Sequence, residues 1–427
     1  MYEKVPEAVT ATLITLLLSP AALALSWESS DGNWEVSLSG QVNVHNVFTD
    51  CPSASEANVI NSSLVCTGDE DGDDGNFSIQ NGLVPAAFVF GVSTTQKGWD
   101  LKAQLGLFPG IATNDPAGGG GPNISGGGAL QNTGLGTTGL DVRQVFLTFG
   151  RAGSGTFKLG RDFGIFGADA LLNDMTIFGV GPVQGDAATP ANTTLGSIGV
   201  GYIYADLLAQ ANYTTPNFNG LEATIGLFEP LDPVNLAGTD LTGDPISFGR
   251  SGQNTEQPGI HGRLKYSYAL SGFDGFASVS AISQDHPSVP GGGEQAFGVD
   301  ITALVNYGGL SLLGYYYTAE GVGTTALFFD AFDNTGEPRD SDGALLQVSY
   351  TFGDTKLGLN YGISNLDATA SDPGTLLEQH EKFTVGVYHS LTKNLMLLGE
   401  YSDFSAENQV GEENDSSNFN VGALLSF

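Results

Sequence analysis

Two cysteines, five histidines and an excess of carboxylates are the residues of this chain that could do chemistry. The histidines, at positions 45, 261, 286, 380 and 389, are scattered, and neither H-E-x-x-H nor G-x-S-x-G occurs. Hydrolytic chemistry therefore has no centre, since it needs a metal-binding pair or an activated serine. The glycine-rich stretches 117–128 and 291–293 lack the Lys-Ser/Thr ending of a phosphate loop. No cofactor motif is present, and the chain does not read as an enzyme. The run Asp69-Glu-Asp-Gly-Asp-Asp-Gly75 suggests calcium, but it lacks the EF-hand glycine at position six and glutamate at twelve, so a solvated acidic loop is the better reading. Cys51 and Cys66 share one polar segment with no other thiol or imidazole nearby. They read as a loop disulfide rather than a metal site, contributing about 3 kcal/mol by loop closure.

Acidic residues outnumber basic ones by 47 to 14 in 427 residues, a formal charge of −33. Nucleic acid is excluded as a partner, because phosphates need the opposite sign. The same field attracts cations, and adaptation of the surface to a saline habitat fits equally well. Only 14% of the residues are charged, while glycine numbers 61 and aromatics reach 10%. A soluble domain carries about 25% charge. Residues 1–24 read as a cleaved export signal: apolar Ala11 to Leu18, then Pro20 and an Ala22-Leu23-Ala24 site. Cleavage there removes Glu3, Lys4 and Glu7, and leaves 45 acidic and 13 basic residues in a single domain, 25–427. No later segment is apolar enough for a membrane helix, so a membrane would have to be crossed by strands.

The elements that position these groups announce themselves by period-2 alternation. Trp34, Val36, Leu38, Gly40, Val42, Val44 and Phe48 share one parity, and Glu35, Ser37, Ser39, Gln41, Asn43 and His45 share the other. Half-buried strands give that pattern and helices do not. Sixteen such segments begin near residues 34, 78, 99, 140, 155, 198, 218, 258, 273, 296, 309, 342, 355, 381, 394 and 417. The links alternate strictly between short turns and long polar loops, the loops being 50–77, 109–139, 162–197, 229–257, 285–295, 320–341, 365–380 and 404–416. Sixteen antiparallel strands crossing a membrane sort their connections this way, turns on one side and loops on the other. In hydrocarbon an unpaired sheet edge is prohibitive, so the sheet must close. A cylinder of that size encloses water. The expectation is an all-β transmembrane barrel whose polar inner wall lines an aqueous passage.

The mature chain also resembles the general porins of Gram-negative outer membranes. The likeness rests on Asp141-Val-Arg-Gln-Val-Phe-Leu-Thr-Phe-Gly150 followed by Gly155-Thr-Phe-Lys-Leu-Gly-Arg161, on Asn212-Tyr-Thr-Thr-Pro-Asn-Phe-Asn-Gly220, and on the terminal Phe427. It implies a homotrimer of 16-stranded barrels set in outer-membrane lipid and lipopolysaccharide, with Phe427 read by the barrel assembly machinery. It also implies that the third long loop, 162–197, folds into the lumen and presents Asp162, Asp169, Asp174 and Asp186. The loop lacks the family's Pro-Glu-Phe-Gly-Gly run, reading Asn173-Asp-Met-Thr-Ile-Phe-Gly-Val-Gly181 instead, and the facing wall lacks a dense arginine cluster. Arg143 matches one cluster position, with Lys102 and Lys158 as further constriction candidates. Alternation gives Arg143 the parity of Val145 and Leu147, so only the resemblance points it inward. A carboxylate ring in a narrow lumen favours cations, although Asp169 and Asp174 could instead cap a helical turn. Arg161 shares parity with Phe157 and Leu159, faces outward, and is a candidate for contact with a neighbouring subunit. Passive diffusion with a cation preference is the expected function, a substrate-selective channel for sugars or similar solutes the alternative, and a barrel adhesin or enzyme a more distant one.

Overall fold

The computed structural model describes residues 25–68, 75–111, 140–182, 193–239, 245–247, 256–287, 289–291 and 293–427. The signal segment 1–24, the calcium-like run through residue 74, the glycine-rich stretch 117–128 and Asp186 lie outside the described residues.

Sixteen strands form one closed antiparallel barrel. They are β1 (Glu35–Asp50), β2 in two parts (Gly75–Gln80 and Ala87–Gln96), β3 (Trp99–Pro109), β4 (Leu140–Arg151), β5 (Gly155–Phe163), β6 (Leu207–Thr214), β7 (Leu221–Phe228) and β8 (Gly259–Leu270). The second half comprises β9 (Phe273–His286), β10 (Glu294–Tyr307), β11 (Leu310–Glu320), β12 (Asp340–Phe352), β13 (Thr355–Leu366), β14 (Leu377–Ser390), β15 (Leu395–Asn408) and β16 (Glu413–Ser426). The barrel closes where β16 pairs with β1, from Gln41↔Ser426 to Asp50↔Ser417. Gly40 and Phe427 complete that seam by exchanging backbone hydrogen bonds of 2.8 and 3.0 Å.

Alternation explains the wall. Val36, Val42, Val44 and Phe48 are exposed outward, whereas Gln41, Asn43 and His45 of the other parity are buried inward. The outward apolar side chains face what would be lipid, and each strand is hydrogen-bonded to both of its lateral neighbours. Aromatic rings gather toward the turn end, where Trp99, Phe149, Phe157 and Tyr213 pack in sequence at centroid distances of 6.0, 5.1 and 4.9 Å. The turns are tight. Lys97 and Gly98 link β2 to β3 with both φ angles positive, 52° and 75°, the geometry that suits the twist of a two-residue hairpin.

Three boundaries differ from the sequence expectation. The sixth strand begins at Leu207, not near 198, because Gly199, Gly201 and Asp206 adopt positive φ and turn 198–206 into the lumen. The second strand breaks at residues 81–86, which leave the sheet and fold inward. The last loop is the four residues 409–412 rather than 404–416, since β15 and β16 stay paired up to Glu407↔Glu413.

Candidate functional site

The site is the lumen, and the long loop 164–206 (hereafter L3) dominates it. Its first turn, Ala168–Leu171, sits against β8–β10: Ile165 N donates to His261 Nδ1 at 3.3 Å, and Gly167 N to Asp300 Oδ2 at 2.7 Å. The next turn, Met175–Phe178, reaches β12, where Met175 N donates to Gln347 Oε1 at 2.6 Å. Val180 N and Gly181 N both donate to Glu400 Oε2 on β15, at 2.8 and 3.0 Å. Asn418 Nδ2 on β16 donates to Gly181 O at 2.9 Å. Gly179 permits this approach, because a Cβ there would overlap the Glu400 carboxylate. The inward detour of β2 then receives the loop: Leu83 N donates to Gly179 O at 2.9 Å, and Thr194 N to Gly82 O at 3.2 Å. The detour is held by Asn43, which accepts from Gly82 N and donates to Val84 O. Buried Lys382 fixes the return limb through Gly196 O and Ser197 Oγ.

A second loop also enters, which the sequence reading did not anticipate. Residues 321–339 (L6) bring Leu327, Phe328 and Phe332 against Phe166, Tyr202 and Ile203 of L3 and against wall residues such as Leu313, Tyr317 and Leu345. An apolar cluster therefore occupies the lumen along β9–β12, where a uniformly wet interior was expected. The signal was present in the apolar run Leu327-Phe328-Phe329, which no solvated loop would bury water-free. L6 is tied to residues 236–237 through its own Asp330, whose Oδ1 accepts from Leu236 N and Ala237 N at 2.6 and 2.9 Å.

The constriction candidates fall in distinct places. Asp162, Asp169 and Asp174 have 1%, 4% and 1% of their surface exposed. Asp162 accepts from Gln144 Nε2 at 2.8 Å and pairs with Lys158. Asp169 Oδ1 pairs with Arg263 Nη1 at 3.2 Å and Lys265 Nζ at 2.7 Å. Asp174 caps its turn through Thr176 N and accepts from Tyr202 Oη at 2.9 Å and Asn360 Nδ2 at 3.2 Å. Lys102 and Lys158 face inward in one cross-strand row, separated by Thr148. Arg143 is inward as well, and the reason is local. A register shift between Gly106 and Leu107 makes it the extra residue of a bulge, which re-aims its guanidinium over the buried Phe108 ring at 5.3 Å and onto Asp141 at 3.1 Å. Arg161 is exposed outward, with Nε donating to Leu207 O at 3.0 Å. Cys51 and Cys66 form the disulfide, with Cα atoms 5.5 Å apart. Phe427 packs on Phe88 at 5.6 Å beside the seam.

Sequence reasoning did not single out Arg263, Lys265, Glu400 or Lys382, although the parity of the first two opposite Ile260 and Leu264 already placed them on the polar face. Lys102, Lys158, Arg263 and Lys265 carry the inward parity and are half-buried, as are Leu172, Asn173, Phe178 and Tyr204 of L3. Such a lumen can conduct ions and small solutes, and among the described residues no group of three or more His, Cys, Asp or Glu side chains stands ready to hold a metal ion.

The Gram-negative porin family model matches residues 8–409. Among solved structures, the outer membrane channel DcaP of Acinetobacter baumannii superposes with a TM-score of 0.66 at 16% identity, over 95% of this chain and 100% of that one. The anion-selective porin from Comamonas acidovorans gives 0.57 at 16% identity, over 92% and 100%. The trimer form of Vibrio cholerae OmpT gives 0.52 at 13% identity, over 92% and 100%. At these identities the structures speak for the fold alone. No curated protein sequence matches the chain. The closed sixteen-stranded wall, the loop folded into its lumen and the family match together make this chain a member of the Gram-negative porin family, an outer-membrane channel and not an enzyme.

Proposed function

We propose that the chain works as a homotrimer whose channels pass small hydrophilic solutes and ions by passive diffusion, with cations preferred. The observation that carries this reading is the crowding of carboxylates at the loop end, among them Glu320, Asp340, Asp403, Glu412, Glu413 and Asp415. Glu320 and Asp340 even stand directly opposite each other across β11 and β12. On their strands Glu320, Asp340, Asp403, Glu413 and Asp415 share the outward parity of Tyr316, Leu346, Tyr401 and Phe419. They therefore ring the outside of the loop end, and like charges gathered there raise the concentration of cations at the entrance. The outward apolar belt suits membrane lipid, the acidic rim above it the lipopolysaccharide layer, and the terminal Phe427 the assembly machinery. Outward Arg161 supplies a contact for a neighbouring subunit. The constriction role remains with Asp162, Asp169, Asp174 and Asp186 on the loop side and Lys102, Arg143 and Lys158 on the wall.

The reversal potential in a planar bilayer under a KCl gradient tests the preference. A sign corresponding to cation flow is expected, shrinking as salt rises and screening shortens to about 10 Å near 0.1 M. The opposite sign would favour a second reading, a solute-selective channel that retains anionic groups. That reading draws on the lumenal row of Lys102 and Lys158 and on the burial of the three described L3-region aspartates in partner contacts. Under it, the double variant Lys102→Gln/Lys158→Gln shifts the reversal potential toward cations; under the first reading the shift is small, because the mouth sets the preference.

A further inference from the structure

Two loops meet on one imidazole. Residues 51–68 of the loop after β1 (L1) lie over the loop ends of β14 and β16, where Asn61 bonds to Thr375 and Asn58 to Asn414. Further along, Leu64 N donates to His380 Nε2 at 3.0 Å. The other ring nitrogen, Nδ1, stands 3.2 Å from Gly199 O on the return limb of L3. These partners fix the proton. A backbone N–H can only donate and a carbonyl can only accept, so the ring is neutral with its hydrogen on Nδ1. His380 is fully buried, its ring 5.3 Å from that of Phe404, beside the apolar group of Leu64, Val65, Val200 and Leu377.

The surroundings of the ring do not tolerate a charge. L1 residues 59–65 and L3 residues 196–203 include no charged side chain, and Tyr202, their one titratable group, gives its Oη to Asp174. The flanking strands place Ser364 and Ala406 directly opposite His380. L6 brings Thr325 beside Gly199, while its Asp330 accepts from Leu236 N and Ala237 N. On its own strand Glu378 is exposed to solvent, and the next inward residue, Lys382, is itself buried. An imidazolium here would lack a buried carboxylate, sit on a strand beside a cation and turn a second N–H against that of Leu64. Released into water, the same ring takes a proton near pH 6.5. We propose that His380 is an acid-sensitive clamp: neutral, it holds L1 to the return limb of L3, and protonation frees both. The direction follows from linkage. A ring that the folded contact keeps neutral stabilises fully above the released value, and each unit below that value weakens the contact about tenfold until the buried ring itself titrates. Acid at the loop end thus loosens the lining of the mouth and leaves the wall intact.

The test uses the full folded barrel in detergent. Proteinase K cleavage within residues 62–65 is read by mass spectrometry after reduction, at pH 7.5 and pH 5. Over that interval a ring that titrates only when released lowers the docked-to-released ratio by up to about thirtyfold. Cleavage follows the released population, so at pH 5 the parent should be cut about tenfold faster or more, relative to His380→Gln at the same pH. Glutamine accepts at Oε1 and donates at Nε2 but takes no proton, so His380→Gln should keep L1 resistant at both values. His380→Ala should be cut quickly at both. Comparing variants at one pH cancels the protease's own pH dependence and the titration of the other histidines. Parent and His380→Gln gaining sensitivity equally on acidification overturn the proposal, and so does a parent that stays resistant at pH 5. Should His380→Gln fail to fold, the imidazole resonances of the 13C-histidine-labelled parent decide: a buried ring must take up its proton together with the onset of cleavage, and cleavage that begins with every buried ring still neutral overturns the clamp.

Discussion

Removing the Glu400 side chain should free the middle of L3 while leaving the barrel intact. Its carboxylate accepts from Val180 N, Gly181 N and Tyr388 Oη, the last at 2.5 Å, and from Asn420 Nδ2 at 3.3 Å. In Glu400→Ala the three closest donors lose their acceptor inside the lumen. A buried donor left unpaired costs about 1–3 kcal/mol. Water entering the new space recovers part of this, so the low end, about 3 kcal/mol for the three together, is the working figure. At 1.4 kcal/mol per tenfold, the ratio of docked to released loop falls by about a hundredfold. The remaining ties to Gly82, Gln347 and Lys382 keep the two ends of the loop in place. Single-channel recording should therefore show larger open-state noise and an altered conductance, and limited proteolysis should cut within L3 where the parent resists. Glu400→Gln, which keeps the shape but turns an amide group toward donors, should fall between the two. A correctly folded Glu400→Ala barrel with parental conductance, noise and protease resistance would refute the idea that this carboxylate sets the loop.

Other outcomes follow from features outside the membrane-spanning wall. Burial pushes the Asp372 carboxyl up, but the two-pronged contact from Arg339, at 2.6 and 2.8 Å, and the Thr369 backbone N–H outweigh it and hold it below the ordinary carboxylate value. A depressed value stabilises above the unfolded one and is lost as pH falls through the folded one. The L6 contact with residues 367–376 should thus persist from neutrality to about pH 4 and release only below it, whereas Asp372→Asn releases it at every pH, read by protease cleavage of L6. Reducing the Cys51–Cys66 bond should loosen residues 51–68 by about 3 kcal/mol without unfolding the barrel, seen as faster hydrogen exchange confined to that loop. Phe427→Ala should lower the yield of assembled protein in the outer membrane while the purified barrel melts within a few degrees of the parent, since one ring contact to Phe88 contributes only about 0.5–1.5 kcal/mol beyond burial.

Most of the wall was legible in the sequence because lipid on one side and a polar lumen on the other force a period of two, and because connection lengths sort by membrane face. That logic failed where the chain left the wall. Ile198, Val200, Tyr202 and Tyr204 alternate like a strand, yet they pack inside the lumen against Ala326, Leu345 and Phe404. Apolar side chains register only that they are buried, and the lumen offered burial as good as lipid does. Residues 81–86 hid for the same reason. Arg143 failed differently: one extra residue in a bulge reverses parity, and no periodic rule registers a single insertion. The acidic residues near L3 were found by type, but their partners, Arg263, Lys265 and Tyr202, come from distant stretches and were unreadable as pairs.

The loop that narrows the passage also bridges the joint of the cylinder. It is fastened to the last two staves at Glu400 and Asn418, and to the second at Gly82 and Leu83, so it lies like a hoop across the line where the ends of the chain meet. The contacts that set the bore therefore draw on strands from both sides of the seam, and the loop can be fully seated only once the two ends have met.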